Sequence, residues 1–222
     1  DRDPGKIGRA LGEVTGCPGQ EKIKITGDED EALAGGADAV LLASSSFVRD
    51  TTEPLKKIIG SGKNAITIAE EWAYPWQAAP VEAGEIDRAA KARGVTVLGT
   101  GVNPGFVLDT LIIALTGVCS DVRKITAKRV NDLSPFGYTV MKTQGVGRSP
   151  DEFARGLEEG SIAGHIGFRQ SVGMIAASLG VRLDKITESI EPIISRTRRK
   201  SPRTAVEPGQ VAGCSHRAEG WA

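Results

Sequence analysis

The sequence predicts an α/β fold: a parallel sheet in its first half, followed by an α+β domain. Three observations carry this. Short apolar runs alternate with helical patterns up to about residue 101, that alternation then stops, and the break falls on the turn-rich segment Gly99–Phe106 (GTGVNPGF).

Element by element, Lys22–Thr26 (KIKIT) alternates polar and apolar residues like a half-buried strand. Asp28–Ala34 opens on acidic residues, which suits the positive end of a helix dipole. Asp38–Ala43 (DAVLLA) is a continuous apolar run, the pattern of a strand covered on both faces. Thr51–Ile59 puts Leu55, Ile58 and Ile59 on one helical face, with Gly60 to end it. Asn64–Ala69 (NAITIA) and Val95–Leu98 (VTVL) repeat the strand pattern, and Val81–Arg93 between them reads as a helix closing on Lys91, Arg93 and Gly94. Strands joined through helices imply right-handed crossovers and a parallel sheet. Past the break, Phe106–Leu115 reads as a helix with Pro104 in its first turn and Asn103 at its N-cap. Val122–Val130 alternates as a strand with a mixed face. Asp151–Glu159, announced by Ser149-Pro150, and Gln170–Leu179 read as helices, whereas Lys185–Ser195 and Thr204–Val211 return to strand alternation. The expected organisation is a partial dinucleotide-binding domain of Rossmann type over residues 1–101 and an α+β domain over 102–222.

Composition narrows the function. Lys+Arg and Asp+Glu number 28 each, so the net charge is zero, which argues against nucleic acid or an anionic membrane as partner. The longest apolar runs, Ala39–Ala43 and Leu111–Leu115, fall far short of the roughly 20 residues that span a bilayer. Cys17, Cys119 and Cys214 are distant and odd in number, which fits a reducing cytoplasm better than a disulfide scaffold. The chain opens in the turn Asp1-Arg2-Asp3-Pro4 and closes without a recognisable stop, so a piece of a longer protein, cut at both ends, is expected.

Four segments can carry chemistry. Asp1 is placed like the acid that follows the second strand of a dinucleotide-binding fold and holds the adenosine ribose; Arg2 beside it suits a 2′-phosphate, so NAD and NADP both stay open, and so does a plain turn. Ala43, Ser44 and Ser45, with Ser46 and Phe47, follow an apolar strand at the carboxyl edge where such sheets bind ligands; a serine capping the next helix is the structural alternative. Glu70 and Glu71 end another strand and run into Trp72, Tyr74 and Trp76. Adjacent residues point to opposite sides, so one glutamate faces any given cleft. A carboxylate beside aromatic rings is partly desolvated, which raises its pKa toward proton-transfer range. Gly101, Asn103, Pro104 and Gly105 can present amides to a carboxylate or to the nicotinamide amide. His165 lies between glycines. Cys214 and His216 lack the partners of a zinc site, and no metal is expected. The basic run Arg196–Arg203 reads as a solvated connector.

ITIAEEWAYPW (66–76), VTVLGTGVNPGFVLDTLIIALTGVC (95–119), VNDLSPFG (130–137), TQGVG (143–147), GHIGF (164–168) and EPGQVAGC (207–214) resemble the 2,4-diaminopentanoate dehydrogenase family of NAD(P)-dependent amine dehydrogenases. The resemblance implies a first domain like that of dihydrodipicolinate reductase, a homodimer, and a second domain that supplies the substrate pocket and dimer contact. It also implies oxidative deamination of a small diamino acid in ornithine breakdown, with hydride passing to NAD or NADP. On that basis Glu70 or Glu71 handles the amine and activates water, and Asn103 with its glycines positions the nicotinamide. Asn131, Tyr138, Thr139 and His165 are pocket candidates, and Arg129, Arg148 or Arg169 would meet the substrate carboxylate. A reductase of the dihydrodipicolinate type and a non-catalytic nucleotide-binding scaffold are the alternatives. Family members begin with a strand and glycine-rich loop that these residues lack, so this chain alone is expected to bind NAD(P) poorly. A fluorescence titration giving micromolar affinity for the isolated chain would contradict that.

Overall fold

The apolar stripe of one helix decides how the first half packs. Val48, Leu55, Ile58 and Ile59 are buried on one side of α3 (Val48–Gly60), because residues three and four apart share a helical face. The computed structural model, which describes residues 1–222, sets that face on three parallel strands, β1 (Ala39–Leu42), β2 (Asn64–Thr67) and β3 (Val97–Gly99), in the order β1-β2-β3. Helix α4 (Pro80–Arg93) joins β2 to β3 and buries Ala83, Ile86 and Ala90. Its end follows helix-stop chemistry, with Gly94 at φ 66° satisfying the carbonyls of Ala90 and Lys91. Trp72, Ala65 and Ala69 complete this core, against which Val40, Leu42 and Val97 pack. The fold is therefore α/β with a partial Rossmann-like parallel sheet, as expected.

Both helices cover the same face. Register places Leu41 opposite Ile66 and Ile66 opposite Leu98 on the other face, and there Leu41 is 76% exposed. The expectation that Asp38–Ala43 is covered on both sides is corrected accordingly: in this chain β1 is an edge strand with one covered face.

Before the sheet lie two short helices, α1 (Leu11–Thr15) and α2 (Glu29–Ala34). Lys22–Thr26, expected as a strand, forms only an isolated bridge, Ala10 to Lys24. No third segment extends that pairing. Helix α2 has the acidic first turn that the sequence indicates, and Asp28 caps it by accepting from the amides of Asp30 and Glu31.

The second half contains α5 (Thr110–Thr116), α6 (Tyr138–Thr143), α7 (Pro150–Glu158) and α8 (Phe168–Ser178), followed by β4 (Lys185–Ile194), β5 (Arg199–Lys200), β6 (Ala205–Val206) and β7 (Val211–Trp221). Strands β4 and β7 form a long antiparallel ribbon, and β5 pairs with β6. Helix α7 starts with a capping box between Ser149 and Glu152, and Phe153 from it meets Ile162 and Val211 in a second, smaller core. Helix α8 packs on β7 and α5, and also on the 3₁₀ turn Glu70–Ala73 of the first half.

Three expectations change here. Val122–Val130 forms no strand; no neighbour offers an edge to its mixed face, and its residues are mostly exposed. Thr204–Val211 is interrupted at Pro208-Gly209, and the long strand begins where that segment ends. The helix expected over Phe106–Leu115 begins only at Thr110 and is capped at Asp109, so Asn103 and Pro104 lie in a turn ahead of it, joined by a cis peptide bond.

Where β3 ends, Gly99 passes directly under the backbone of Trp72; a Cβ there would overlap the Trp72 carbonyl and lie 2.8 Å from its own Cβ. Neither strand nor core residue can yield. Gly99→Ala is expected to destabilise the chain by about 3 kcal/mol. Gly60→Ala, with nothing within 4 Å of the added carbon, should be neutral or slightly stabilising. Urea unfolding of the two variants checks the contrast.

Candidate functional site

The carboxyl ends of the three strands gather the residues of interest. After β1 the chain runs Ala43–Phe47 into α3; after β2 it enters the 3₁₀ turn with Glu70 and Glu71; after β3 it makes the Gly101–Gly105 turn. Hydrogen bonds tie these together, from Glu71 N to Ser46 O at 3.2 Å and from Thr100 N to Thr67 O at 2.9 Å. This edge is where open parallel sheets bind ligands.

The two glutamates separate. Helix α3 begins after Phe47, which has no side chain able to cap it, and Glu71 fills that gap: its Oε2 accepts from the Val48 amide at 2.7 Å. Its carboxylate thus meets the positive end of the helix. Ser45 accepts from the Phe47 amide at 3.3 Å and donates to Asp50 at 2.7 Å, while Ala43 and Ser44 are exposed at the strand end. Glu70 turns the other way and makes no side-chain hydrogen bond within the chain. It approaches Gly167, on which an added Cβ would sit 3.3 Å from Glu70 Cβ and 2.6 Å from Pro104 Cδ. Gly167 has φ 104°, so glycine is required both by conformation and by closeness. The aromatics do not form a common lid over either carboxylate. Trp72 enters the core and donates from Nε1 to Thr51 Oγ1 at 2.8 Å, Tyr74 lies against Gly173 of α8, and Trp76 is exposed.

Beside Glu70, Asn103 meets His165. Asn103 Nδ2 donates to His165 Nε2 at 2.7 Å, which makes the ring an acceptor at that nitrogen and leaves it neutral. Burial pushes the His165 pKa down to about 4, and the neighbouring Arg129 guanidinium and His216 add to the effect. Asn103 Oδ1 is buried without any donor. The loop bearing His165 is clamped from behind. Its amide donates to His216 Nδ1 at 3.0 Å, so His216 carries its proton on Nε2, where Glu188 accepts at 3.1 Å. Glu188 is in turn paired with Arg169 at 2.7 Å, and its pKa is held low chiefly by the His216 hydrogen bond. Phe168 packs edge-on between the two imidazoles, 5.1 Å from one centroid and 4.7 Å from the other. Gln144 donates to Gly164 O at 2.7 Å and accepts from the Cys214 thiol at 2.8 Å; burial raises that thiol's pKa.

Other sequence candidates lie elsewhere. Asp1 and Arg2 do not reach the carboxyl edge: the amino terminus donates to Thr26 O, Lys6 pairs with Asp1, and Arg2 pairs with Glu29, which also holds Lys57. Lys57 is nine residues, about 14 Å, along α3 from the Val48 end that meets Glu71. The placement of Asp1 and Arg2 at a cofactor ribose is therefore corrected. Asn131, Tyr138 and Thr139 are exposed and make no side-chain hydrogen bond within the chain, so they do not join His165 and Asn103. Of the three arginines, Arg169 is engaged by Glu188 and Arg148 lies beside Glu152 at the start of α7. Arg129 is unpaired and near His165.

Sequence reading missed Asp109, Gln144 and the capping role of Glu71. Asp109 had a signal, an N-cap residue just before the apolar run of α5. Gln144 had none, because its partners are 20 and 70 residues away.

Known proteins resemble this chain on both scales. A family model described as the 2,4-diaminopentanoate dehydrogenase C-terminal domain matches residues 106–222. The 2,4-diaminopentanoate dehydrogenase of Acetoanaerobium sticklandii is 46% identical over 203 residues, covering 91% of this chain and 58% of that protein. An amine dehydrogenase of Streptomyces virginiae is 28% identical over 192 residues, covering 84% and 53%. The solved amine dehydrogenase from Mycobacterium smegmatis superposes with a TM-score of 0.77 at 28% identity, over 99% of this chain and 66% of that one. The chain thus spans little more than half the length of the curated relatives it matches.

His165 gives the site a stability signature. Its folded pKa, about 4, lies below the ordinary value of 6.5, so between those values the unfolded chain binds the extra proton. Stability should fall as pH drops from 6.5 through 4, and His165→Gln should flatten that part of the profile. Urea unfolding across this range checks it; an unchanged slope would contradict the assignment.

Proposed function

Since this chain belongs to the 2,4-diaminopentanoate dehydrogenase C-terminal-domain family, we propose that its protein oxidatively deaminates 2,4-diaminopentanoate to 2-amino-4-oxopentanoate and ammonia, using NAD or NADP. One observation carries the reading: an unpaired carboxylate, Glu70, lies beside the Asn103–His165 pair at the carboxyl edge of a parallel sheet. The 46% identity to a protein of that activity supports it.

The nicotinamide end of a dinucleotide fits these residues. A buried acceptor without a donor costs about 1–3 kcal/mol, and Asn103 Oδ1 is such an acceptor, suited to a carboxamide. Asn103 and the Gly101–Gly105 backbone would hold that end, with Pro104 shaping the turn. The turns after β1 and β2 contain no glycine, and Glu71 already satisfies the first amide of α3. These residues therefore offer no cradle for the pyrophosphate. When bound, the nicotinamide supplies the hydride acceptor.

The chain's own groups do the rest. Glu70 holds the ammonium of the substrate and takes a proton from it, so that the neutral amine can be oxidised at C4. Once the iminium has formed, Glu70 deprotonates a water that attacks the iminium carbon, and ammonia leaves as the ketone forms. His165, neutral at physiological pH, places no positive charge beside the cationic amine. Arg129 is the free guanidinium nearest this machinery and would meet the substrate carboxylate. We propose a homodimer and a cytoplasmic setting on the strength of the family resemblance and the three unpaired cysteines. The same resemblance supports a place in ornithine breakdown.

The division between the glutamates provides the test. In the full-length protein Glu70→Gln is expected to lower kcat about 10²–10⁴-fold, the usual contribution of a general acid/base. Glu71→Ala should leave kcat within severalfold while lowering stability by about 1 kcal/mol, the cost of a lost helix cap. Amine-dependent reduction of NAD(P), followed by absorbance, decides. Full activity in Glu70→Gln would sink the reading.

A further inference from the structure

The turn that carries Asn103 and the helix that follows His165 meet at one side chain. Asp109 is 0% exposed. Its Oδ2 accepts from the Gly105 amide at 2.7 Å and from the Ser171 hydroxyl at 2.8 Å, and its Oδ1 accepts from the Thr110 amide at 2.6 Å. An ordinary N-cap accepts from the second or third helical amide. Asp109 instead bonds the first one and spends its other oxygen backward on the turn and across on α8, 62 residues away in sequence. That pattern is more than α5 requires.

We propose that Asp109 is the positioning residue of the site, setting the Asn103–His165 contact through Gly105 on one side and Ser171 on the other. The proposal deepens the dehydrogenase reading and rests on it for its catalytic meaning. Gly105 follows Asn103 by two residues. Ser171 stands in the first turn of α8, with its amide bonded to Gly167 O at 3.0 Å, and Gly167 follows His165 by two. One carboxylate oxygen therefore fixes both halves of the contact. Gly167 packed against Pro104 closes the same joint from the other side. Without the Ser171–Asp109 bond, α8 and its leading loop would be held to the turn by packing alone.

Two variants keep the test clear of simple unfolding. Ser171→Ala removes one bond and leaves the α5 cap intact. Asp109→Asn keeps one acceptor but turns an NH₂ donor toward another donor. Histidine labelled with nitrogen isotope gives resonances from just two residues, His165 and His216, and the one lost in His165→Gln identifies the first. In both variants the His165 ring is expected to change its Nε2 environment and its pKa to rise by about one pH unit, as it gains water. A cap-only role for Asp109 would leave that resonance and its titration unmoved in Ser171→Ala, and this result overturns the proposal. In the full-length enzyme the same variant should lose about tenfold in kcat with KM for the cofactor within twofold. If no amine oxidation is found even in the unaltered protein, the dehydrogenase reading fails, and the histidine titration still decides the role of Asp109.

Discussion

Asp109 is wholly enclosed, and a carboxylate removed from water is tolerated only where donors replace the water it has lost. Two backbone amides and a serine hydroxyl do so here, and bonds of this charged kind are worth about 1.5–3 kcal/mol each. The donors come from the turn after β3, from the start of α5 and from α8, elements with no sequence proximity to enforce their meeting. Drift of any one leaves a buried charge short of a partner, an expensive state. The joint between the parallel sheet and the second half is thus stiff where Asn103 and His165 touch, although most of the surrounding turn is partly open to solvent. Rigidity at that point matters for chemistry, because reacting groups must be held within fractions of an ångström.

The sheet explains why the candidate site lies at an edge. Helices α3 and α4 pack on one face and bury its alternate residues, leaving Leu41 and Leu98 exposed on the other. Neither face supplies converging polar groups. At the carboxyl ends, by contrast, every strand releases the chain into a tight turn within a few residues, and the β2 and β3 turns cross where Gly99 lets the Trp72 backbone pass. Close approach of backbones brings Glu70 within reach of Pro104 and Gly167. The α8 loop then adds His165 from the second half.

Much of the first half was legible because its signals are local. The stripe of Leu55, Ile58 and Ile59, the Gly94 stop and the apolar runs of β1 and β2 each specify one element without outside help. The second half was less so. Val122–Val130 has strand alternation but no partner, and an isolated strand leaves its backbone groups unpaired, so pattern alone could not make it one. The long strand β7 (VAGCSHRAEGW) hid because its inward residues are small or polar: Gly213 lies against Leu133, while Cys214 and His216 bond to Gln144 and Glu188. Site residues divide in the same way. Glu70 with Glu71, and Asn103 with its glycines, announce themselves as a carboxylate pair and a turn. Asp1 and Arg2 suggested a ribose site by resemblance to a motif, but their contacts with Thr26, Lys6 and Glu29 hold them away from it. Asp109, Gln144 and His216 work through distant partners that no local pattern encodes.

The adjacency of Glu70 and Glu71 has a physical consequence for reactivity. Two carboxylates aimed into one cleft repel, and one of them takes up a proton that belongs to the pair. Here the end of β2 sends them to opposite sides, and the Val48 amide binds the second, so its charge is spent on holding α3. That leaves the first without a hydrogen-bond partner in the chain and without a competing acid pointed at the same space. A group that must take a proton from an ammonium and later from a water has to be free at both moments; a carboxylate already committed to a backbone amide is not. The helix that lacks its own capping side chain after Phe47 therefore does more than borrow stability from Glu71. By engaging one glutamate it fixes which of the pair remains available, and the close packing of Gly167 on Pro104 brings that free carboxylate beside the Asn103–His165 contact.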